Sequence, residues 1–434
     1  MATRTLDRLL AGTFPDPDGG APLRVDTKSV VIARSLAGSE GEVVHALGLG
    51  RTLALVSDVT THAVLGDRVE RALTGKVKLI NIVLPARPHP DHATVERLRA
   101  ATGTADALIA VGSGTINDLC KYASALDKKP YAVFGTAPSM NGYVSVNAAI
   151  TVGGLKKSLT AHAPVGVFLD IGVLAAAPAR MIRSGLGDSL CRPTAQADWL
   201  LAHLLFDQPY REMPFALLAE DEGELFGRSD ALMAGDHAAM ESLVRTLLLS
   251  GFGTAICGSS QPASQGEHLI SHYADMMGGD DLPLSFHGEQ IGVTTLTTAR
   301  LQETMLAAPA PVLAAEAQGE ADVIRTFGPE LGPSCWKEFA QKRLTGERLD
   351  AANQRIASRW PQFTERISKV VISTAELDAV LVRAGAPRAP RELSWTKTFY
   401  EAAVRGARLI RNRYTFLDLA ANSGALDRLM PAIT

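Results

Sequence analysis

Short apolar runs and helical spacings take turns over about the first 175 residues. RTLALVSD (51–58) is an apolar run closed by an acid, and TTHAVLGDRVERALTG follows with Val64, Val69 and Leu73 on an expected helical face. VKLINIVLP (77–85) predicts a second strand, and the spacing from Ala93 to Ala100 a second helix. ADALIAVGSG (105–114) predicts a third strand that runs into a glycine turn, PYAVFGTAP (130–138) a fourth, and VGVFLDIGVLAAAP (165–178) the last of that layer. This alternation specifies a mostly parallel sheet with helices on both faces.

Beyond Pro178 the texture changes. SGLGDSLCRPTAQADWLLAHLL, HAAMESLVRTLLLSGFGTAICG, GEHLISHYADMM, GEQIGVTTLTTARLQETMLAA and FTERISKVVIST carry helical periodicity with few strand signals. The expected organisation is an α/β domain over 1–177 and an all-helical domain over 178–434, with loops at APAPV (308–312) and GAPRAP (385–390). There is no internal repeat and no low-complexity segment.

Bulk properties narrow the function classes. A chain of 434 residues exceeds one ordinary core, and 46% hydrophobic with 21% charged residues is a globular composition. A net charge of -3 and 6% aromatic residues, with no basic run among them, argue against nucleic acid and anionic membranes. Cys120, Cys191, Cys257 and Cys335 are scattered and never form CxxC, which fits free thiols in a reducing compartment. The opening MATRTLDRLLAGTFPDPDGG has too short an apolar stretch for a signal peptide, and Asp7 and Arg8 interrupt it. No run of about 18 apolar residues predicts a membrane span. The expected location is cytoplasmic.

Four constellations carry candidate chemistry. In VGSGTINDLCKY (111–122), Gly112 and Gly114 let the backbone turn sharply at a strand end, and the N–H groups of the next helix start attract phosphate. The run lacks the third glycine of GxGxxG and the GK[ST] of a P-loop, so alone it is equally an ordinary strand-to-helix turn. Asp58, the best strand-terminal acid for a ribose, precedes these glycines, an order that is not Rossmann. GTAPSMNGYVSVNAAI (135–150) reads as a hydroxyl-rich loop, with Thr136, Ser139 and Ser145 available to a nicotinamide amide or ribose. Finally, GLGD ends in Asp188, GEHLISHY places His268 and His272 one helical turn apart, and SFHGEQ adds His287. Three histidines in so short a stretch, out of 10 in the chain, with a carboxylate make a ligand set for Zn²⁺ or a similar ion with positions left open. The glutamate of HExxH is missing, which removes the zinc-protease reading, and no G-x-S-x-G nucleophile elbow occurs.

In this order, GSGTINDLCKY, TAPSMNGYVS, GLGDSLCRPTAQADW, GEHLISHY, FHGEQIGV and RLIRNRYTFLDLAANSGALD resemble the glycerol-1-phosphate dehydrogenases of the iron-containing alcohol dehydrogenase superfamily, the bacterial type in particular. The resemblance implies a dehydroquinate synthase-like fold: an N-terminal α/β domain for NAD, with NADP possible, and a C-terminal helical domain for one divalent metal, with the active site in the cleft. Zinc is the first expectation, nickel or iron the alternatives. Carried over by match, Gly114, Thr115, Ile116, Asn117 and Asp118 would wrap the pyrophosphate, with Asp58 on the ribose. Thr136, Ala137, Pro138, Ser139 and Ser145 would line the nicotinamide side. Asp188, His268 and His287 would hold the metal, with Asp188 also near substrate, and His272 would face the substrate as the catalytic residue. The family usually has a substrate-contacting aspartate where this chain has Asn141, which bears on substrate identity more than on reaction class. Lys156 or Lys157 could meet a substrate phosphate.

The implied reaction is reversible hydride transfer between NAD(P)H and dihydroxyacetone phosphate, a phosphorylated triose, giving sn-glycerol 1-phosphate for phospholipid metabolism. The alternatives are an oxidoreductase of the same scaffold acting on another polyol or hydroxy acid, a dehydroquinate synthase-like lyase, and a non-catalytic binding protein. A homodimer is the common expectation for a soluble enzyme.

Overall fold

The computed structural model describes residues 4–153, 155–279 and 282–434, with the side chains of residues 155 and 156 outside that set. The chain divides into two compact units, Met1–Ser189 with Glu212–Ser259, and Leu190–Arg211 with Ser260–Thr434. The change of texture at Pro178 marks the end of the strands. The first unit nevertheless extends past it into helices.

In the first unit the strands are β1 (Ser29–Ala33), β2 (Thr52–Asp58), β3 (Lys78–Leu84), β4 (Ala107–Gly112), β5 (Tyr131–Gly135), β6 (Asn147–Val152), β7 (Leu155–Thr160) and β8 (Gly166–Asp170). Six of them form one parallel sheet in the order β1-β8-β5-β4-β2-β3, and β6 and β7 make a separate antiparallel hairpin. The inner strands are apolar on both faces, as a sheet covered by helices on both sides requires: Leu53, Ala54, Leu55 and Val56 on β2 and Leu108 to Val111 on β4 are all buried. Between β2 and β3 the helical run from Val59 contains a π-turn, His62–Gly66. Leu65, Val69 and Leu73 are its buried face, and Val64 points outward. The expected face included Val64, but five residues separate it from Val69, whereas Leu65 stands the four apart that a helix face needs.

The strand order has one reversal. From β2 the chain moves outward to β3, then returns across β2 to β4 and continues the other way to β5 and β8. In open α/β sheets ligands bind at the carboxyl ends of the strands flanking such a reversal, here β2 and β4. The same unit holds the helix Ala179–Leu190 up to Ser189, and the long helix His237–Cys257.

Among the described residues no strand follows Asp170, so the second half is helical as expected. The pattern read as continuous across Cys191 is two helices, Ala179–Leu190 and Arg192–Phe206, and Pro193 sits in the opening turn of the second, where its missing N–H costs nothing. The core of the second unit takes Leu201 and Leu205 from Arg192–Phe206, Ile356, Trp360 and Phe363 from Gly346–Ser368, and Tyr400 and Val404 from Lys397–Ala407. It also encloses a charge cluster. Asp418 accepts from Lys342 Nζ at 2.8 Å, Thr415 N at 3.0 Å and Arg408 Nε at 3.2 Å, and Arg408 further bonds Glu316. No helix among the described residues is long and apolar enough to cross a membrane.

Candidate active site

Asp58, the Gly112–Gly114 turn and the segment from Thr136 leave the sheet at the carboxyl ends of β2, β4 and β5, three neighbouring strands. They are separate in sequence and are brought to one edge by the parallel register, with Val56 opposite Ala110 and Gly112 opposite Gly135. Asp58 caps the short helix after β2, its Oδ1 accepting from Thr61 N at 2.8 Å. Among the described residues its Oδ2 takes no protein hydrogen bond.

The two glycines of the β4 turn differ in what demands them. A Cβ on Gly112 would lie 2.5 Å from that of Ile116, so the helix Gly114–Leu126 packs directly on that position. A Cβ on Gly114 would meet only Met140 at an ordinary 3.5 Å, so no neighbour within the protein requires glycine there. Ser113 makes no capping bond at the start of this helix. Gly114 and Thr115 are part-exposed, whereas Ile116 and Asn117 are buried and face the protein. The Asn117 amide donates to Gly142 O at 3.3 Å, and the Asp118 carboxylate accepts from Ala149 N at 3.0 Å in β6.

Lys121, one turn on from Asn117 and fully buried, ties this helix to the loop after β5. Its Nζ donates to Gly142 O at 2.6 Å, Ser145 Oγ at 3.0 Å and Asn147 O at 3.1 Å, and stands 3.6 Å from Asp118. Burial pushes the Asp118 carboxyl up and pulls the Lys121 ammonium down, and each charge partly offsets the other. The loop is also seated from behind by two glycines. A Cβ on Gly185 would fall 1.8 Å from Pro138 O, and one on Gly251 would fall 2.5 Å from Asn141 O, so both helices press bare backbone against it. Tyr143 donates to Ala137 O at 2.8 Å, Ser184 to Ser139 O at 3.0 Å, and Thr136 N to Gly112 O at 3.1 Å. Asn141 donates its N–H to Asp188 Oδ2 at 2.9 Å and its side-chain amide to Ser250 Oγ at 3.2 Å. Asp188 itself is buried. Lys157 is exposed on β7, and the Lys156 side chain lies outside the described set.

In the second unit, His268 and His272 project from one face of the helix Gly266–Met277, and His287 opens the helix His287–Ala307. The ring centroids of His268 and His287 are 5.1 Å apart, those of His268 and His272 5.9 Å, and those of His272 and His287 6.3 Å. His268 is buried, and its Nδ1 meets Glu267 Oε1 at 3.0 Å. Two buried ionisable groups brace the start of this helix. Asp198 accepts from Gly266 N at 2.9 Å and Phe416 N at 2.8 Å, and burial, with Glu267 nearby, pushes its carboxyl up to about 8. Arg413 donates to Ser264 O and to Ser260 Oγ at 2.7 Å, and burial pulls its guanidinium down to about 10.

The profile of iron-containing alcohol dehydrogenase matches residues 31–178. A glycerol-1-phosphate dehydrogenase [NAD(P)+] of Thermococcus kodakarensis is 30% identical over 339 residues, 75% of this chain and 95% of that one. The protein of the same name from Bacillus licheniformis is 30% identical over 383 residues, 87% and 84% of the two chains. The chain belongs to the glycerol-1-phosphate dehydrogenase family. Among solved structures, sulfoacetaldehyde reductase of Bifidobacterium kashiwanohense in complex with NAD+ superposes with a TM-score of 0.61 at 15% identity, covering 97% of this chain and 98% of that one, which shows the shared fold.

As a member of that family the protein is an NAD(P)-dependent alcohol dehydrogenase-like enzyme. Of the residues expected around the cofactor, the fold brings Asp58, Gly114, Thr115 and Thr136 to one sheet edge. The side chains of Ile116, Asn117, Asp118 and Ser145 also join the helix, loop and hairpin to one another. Sequence reasoning passed over Lys121, Glu267 and Arg413. All three lie inside quoted motifs, but a buried charge is told from a solvated one only by what surrounds it.

Proposed function

We propose that this glycerol-1-phosphate dehydrogenase family member interconverts dihydroxyacetone phosphate and sn-glycerol 1-phosphate, using NAD(P) and one divalent ion held by Asp188, His268 and His287. The observation that carries the metal reading is the His268–His287 pair. Two imidazoles each about 2.1 Å from one tetrahedral ion have ring centroids roughly 5 Å apart, and this pair stands at 5.1 Å. His272 stands farther from both, which suits a neighbour of the ion better than a ligand. Asp188 is supported as third ligand by the family resemblance and by its burial in a helix whose last residue, Leu190, already belongs to the histidine-bearing unit. For the dinucleotide, the switch-point edge with Gly114 and an uncapped helix start fits a pyrophosphate. The substrate comes from the names of the relatives.

NAD(P)H supplies the hydride, and the ion supplies Lewis acidity toward the carbonyl oxygen. His272, half-buried beside the ligand pair, donates the proton that the new hydroxyl needs and regains it from solvent. The 136–145 loop, tied by Lys121 to the helix Gly114–Leu126, would line the nicotinamide side of a bound cofactor.

Asn141 bears on the substrate. One N–H of its amide is taken by Ser250, which leaves the oxygen as acceptor for a substrate hydroxyl without setting a second negative charge near a phosphate. In a panel followed through NADH, the metal-loaded protein is expected to turn over dihydroxyacetone phosphate fastest. Asn141→Asp should change that rate by no more than about tenfold, roughly 1.4 kcal/mol. No turnover of this substrate by either form would leave only the family oxidoreductase assignment standing.

Asp58 sets the expected coenzyme preference. Its Oδ2 can accept from ribose hydroxyls and would repel a 2′-phosphate. Arg51 stands before the opposite end of β2, and His62 is held between Ser57 Oγ at 3.3 Å and Glu70 at 3.4 Å, so neither offers Asp58 a compensating cation. NADH is expected to exceed NADPH in kcat/KM by roughly tenfold or more, with Asp58→Ala narrowing the ratio to a few-fold. A wild-type preference for NADPH would overturn this.

A further inference from the structure

We propose that Glu267 is a positioning residue for the metal, locking the His268 ring in the tautomer that presents Nε2 and placing a negative charge behind it. This rests on the reading of His268 as a ligand. A carboxylate can only accept, so at the 3.0 Å contact Nδ1 carries the proton and Nε2 the lone pair. The carboxylate is itself held. Its Oε1 also accepts from Gln265 N at 2.8 Å, and its Oε2 accepts from Thr194 Oγ1 at 3.2 Å. All these groups are buried, so the charge acts on the imidazole with little screening by water. Asp198 fixes the backbone immediately before Glu267 through Gly266 N. Adjacent residues on a helix normally diverge by about 100°. The contact forms because Glu267 sits in the opening turn and folds back toward the N-cap residue Gln265. Carboxylates behind a ligating imidazole raise its basicity and fix its orientation, and losing one typically costs 10–100-fold in metal affinity.

Cys191, Glu267 and His268 also have potential ligand atoms within 4.8 Å of one another, so Glu267 as a ligand in its own right, with Cys191, is the competing arrangement. The orienting role is favoured because the facing His268 nitrogen is already engaged by the carboxylate.

The test is Zn²⁺ affinity of the full-length protein, stripped with a chelator and titrated against a chromophoric competitor, alongside the melting temperature of the metal-free form. Glu267→Gln keeps size and one acceptor, and Thr194 can turn its proton fully to Cys191 O, which it already meets at 2.9 Å, and accept from the new amide. The expected result is Zn²⁺ bound roughly 10–100-fold more weakly, an unchanged melting temperature without metal, and Cys191→Ser binding as tightly as wild type. Wild-type affinity in Glu267→Gln, which keeps an oxygen facing Nδ1 and removes the charge, would overturn the electrostatic part of the proposal. Wild-type affinity in Glu267→Leu, which removes the acceptor as well, would overturn the orienting part. Both outcomes leave the ligand assignment intact if His268→Ala loses the ion. Equal loss in Cys191→Ser would overturn it in favour of direct ligation. If His268→Ala binds Zn²⁺ as the wild type does, the ligand reading fails first. Should Glu267→Gln not fold, Glu267→Asp, which withdraws the carboxylate by one methylene, must weaken Zn²⁺ binding, and wild-type affinity there overturns the proposal equally.

Discussion

Replacing His268 and His287 together by alanine is expected to remove the divalent ion and to slow dihydroxyacetone phosphate reduction by roughly a thousandfold or more. The size follows from what a Lewis acid contributes at a reacting carbonyl, several kcal/mol, where each factor of ten is about 1.4 kcal/mol. With both imidazoles gone, Asp188 alone cannot hold an ion against water. Elemental analysis should find one ion per chain in the wild type and none in the double variant. His272→Ala should behave differently. It keeps the ion but loses the proton donor, a deficit of roughly a hundredfold or more in turnover. A double variant with full metal occupancy and activity would show that the cluster of rings, 5.1 to 6.3 Å apart, is not the metal site.

The largest expected effect on stability lies away from the chemistry, at Asp418. This carboxylate joins Lys342, Arg408 and Thr415 inside the second unit, all of them buried. Asp418→Ala would leave two cations facing an empty space, and breaking a buried pair from one side costs about 3–5 kcal/mol. Burial already pulls the Lys342 ammonium down to about 8, so without Asp418 it sheds its proton near neutral pH and part of the cost is avoided. Arg408 cannot do so and keeps Glu316 as its ionic partner. At roughly 2–4 °C per kcal/mol for a unit of this size, thermal unfolding should come about 10 °C earlier. Adding Lys342→Met to Asp418→Ala should recover part of the loss, because an uncharged side chain does not need the missing carboxylate. A melting temperature within 2 °C of wild type for Asp418→Ala would show the cluster to be energetically neutral.

The strands at the switch-point edge were legible because β2, β4 and β5 are mainly apolar runs ending in Asp or Gly, a signature that needs no knowledge of neighbours. β1 was not, being a short, half-buried edge strand whose partner, β8, lies far along the chain. The β6–β7 hairpin was read in part as a loop. Its sequence alternates weakly, and it is held by Lys121 and Asp118, whose burial no local pattern announces. The histidines were legible as a cluster from spacing. Which two form the closest pair is a matter of ring placement across two helices, which spacing does not encode. What the motifs do not announce is how much of them also serves the fold. Asn117 and Asp118 spend their side chains on the protein itself.

The chain passes from one compact unit to the other after Ser189, again after Arg211 and again after Ser259. During synthesis this dictates an order of events. The first unit is complete when residue 259 has left the ribosome, at which point the helix Arg192–Phe206, already made, lacks the later helices it packs on most. Its buried leucines, Leu200, Leu201 and Leu205, wait for Gly266–Met277, His287–Ala307 and finally Gly346–Ser368. At 5–20 residues per second that wait is about 5–20 seconds. For that interval the nascent protein displays an apolar helix tethered at both ends to a folded body, the kind of segment a ribosome-associated chaperone must shield. A gene shortened to end near residue 259 would display it permanently.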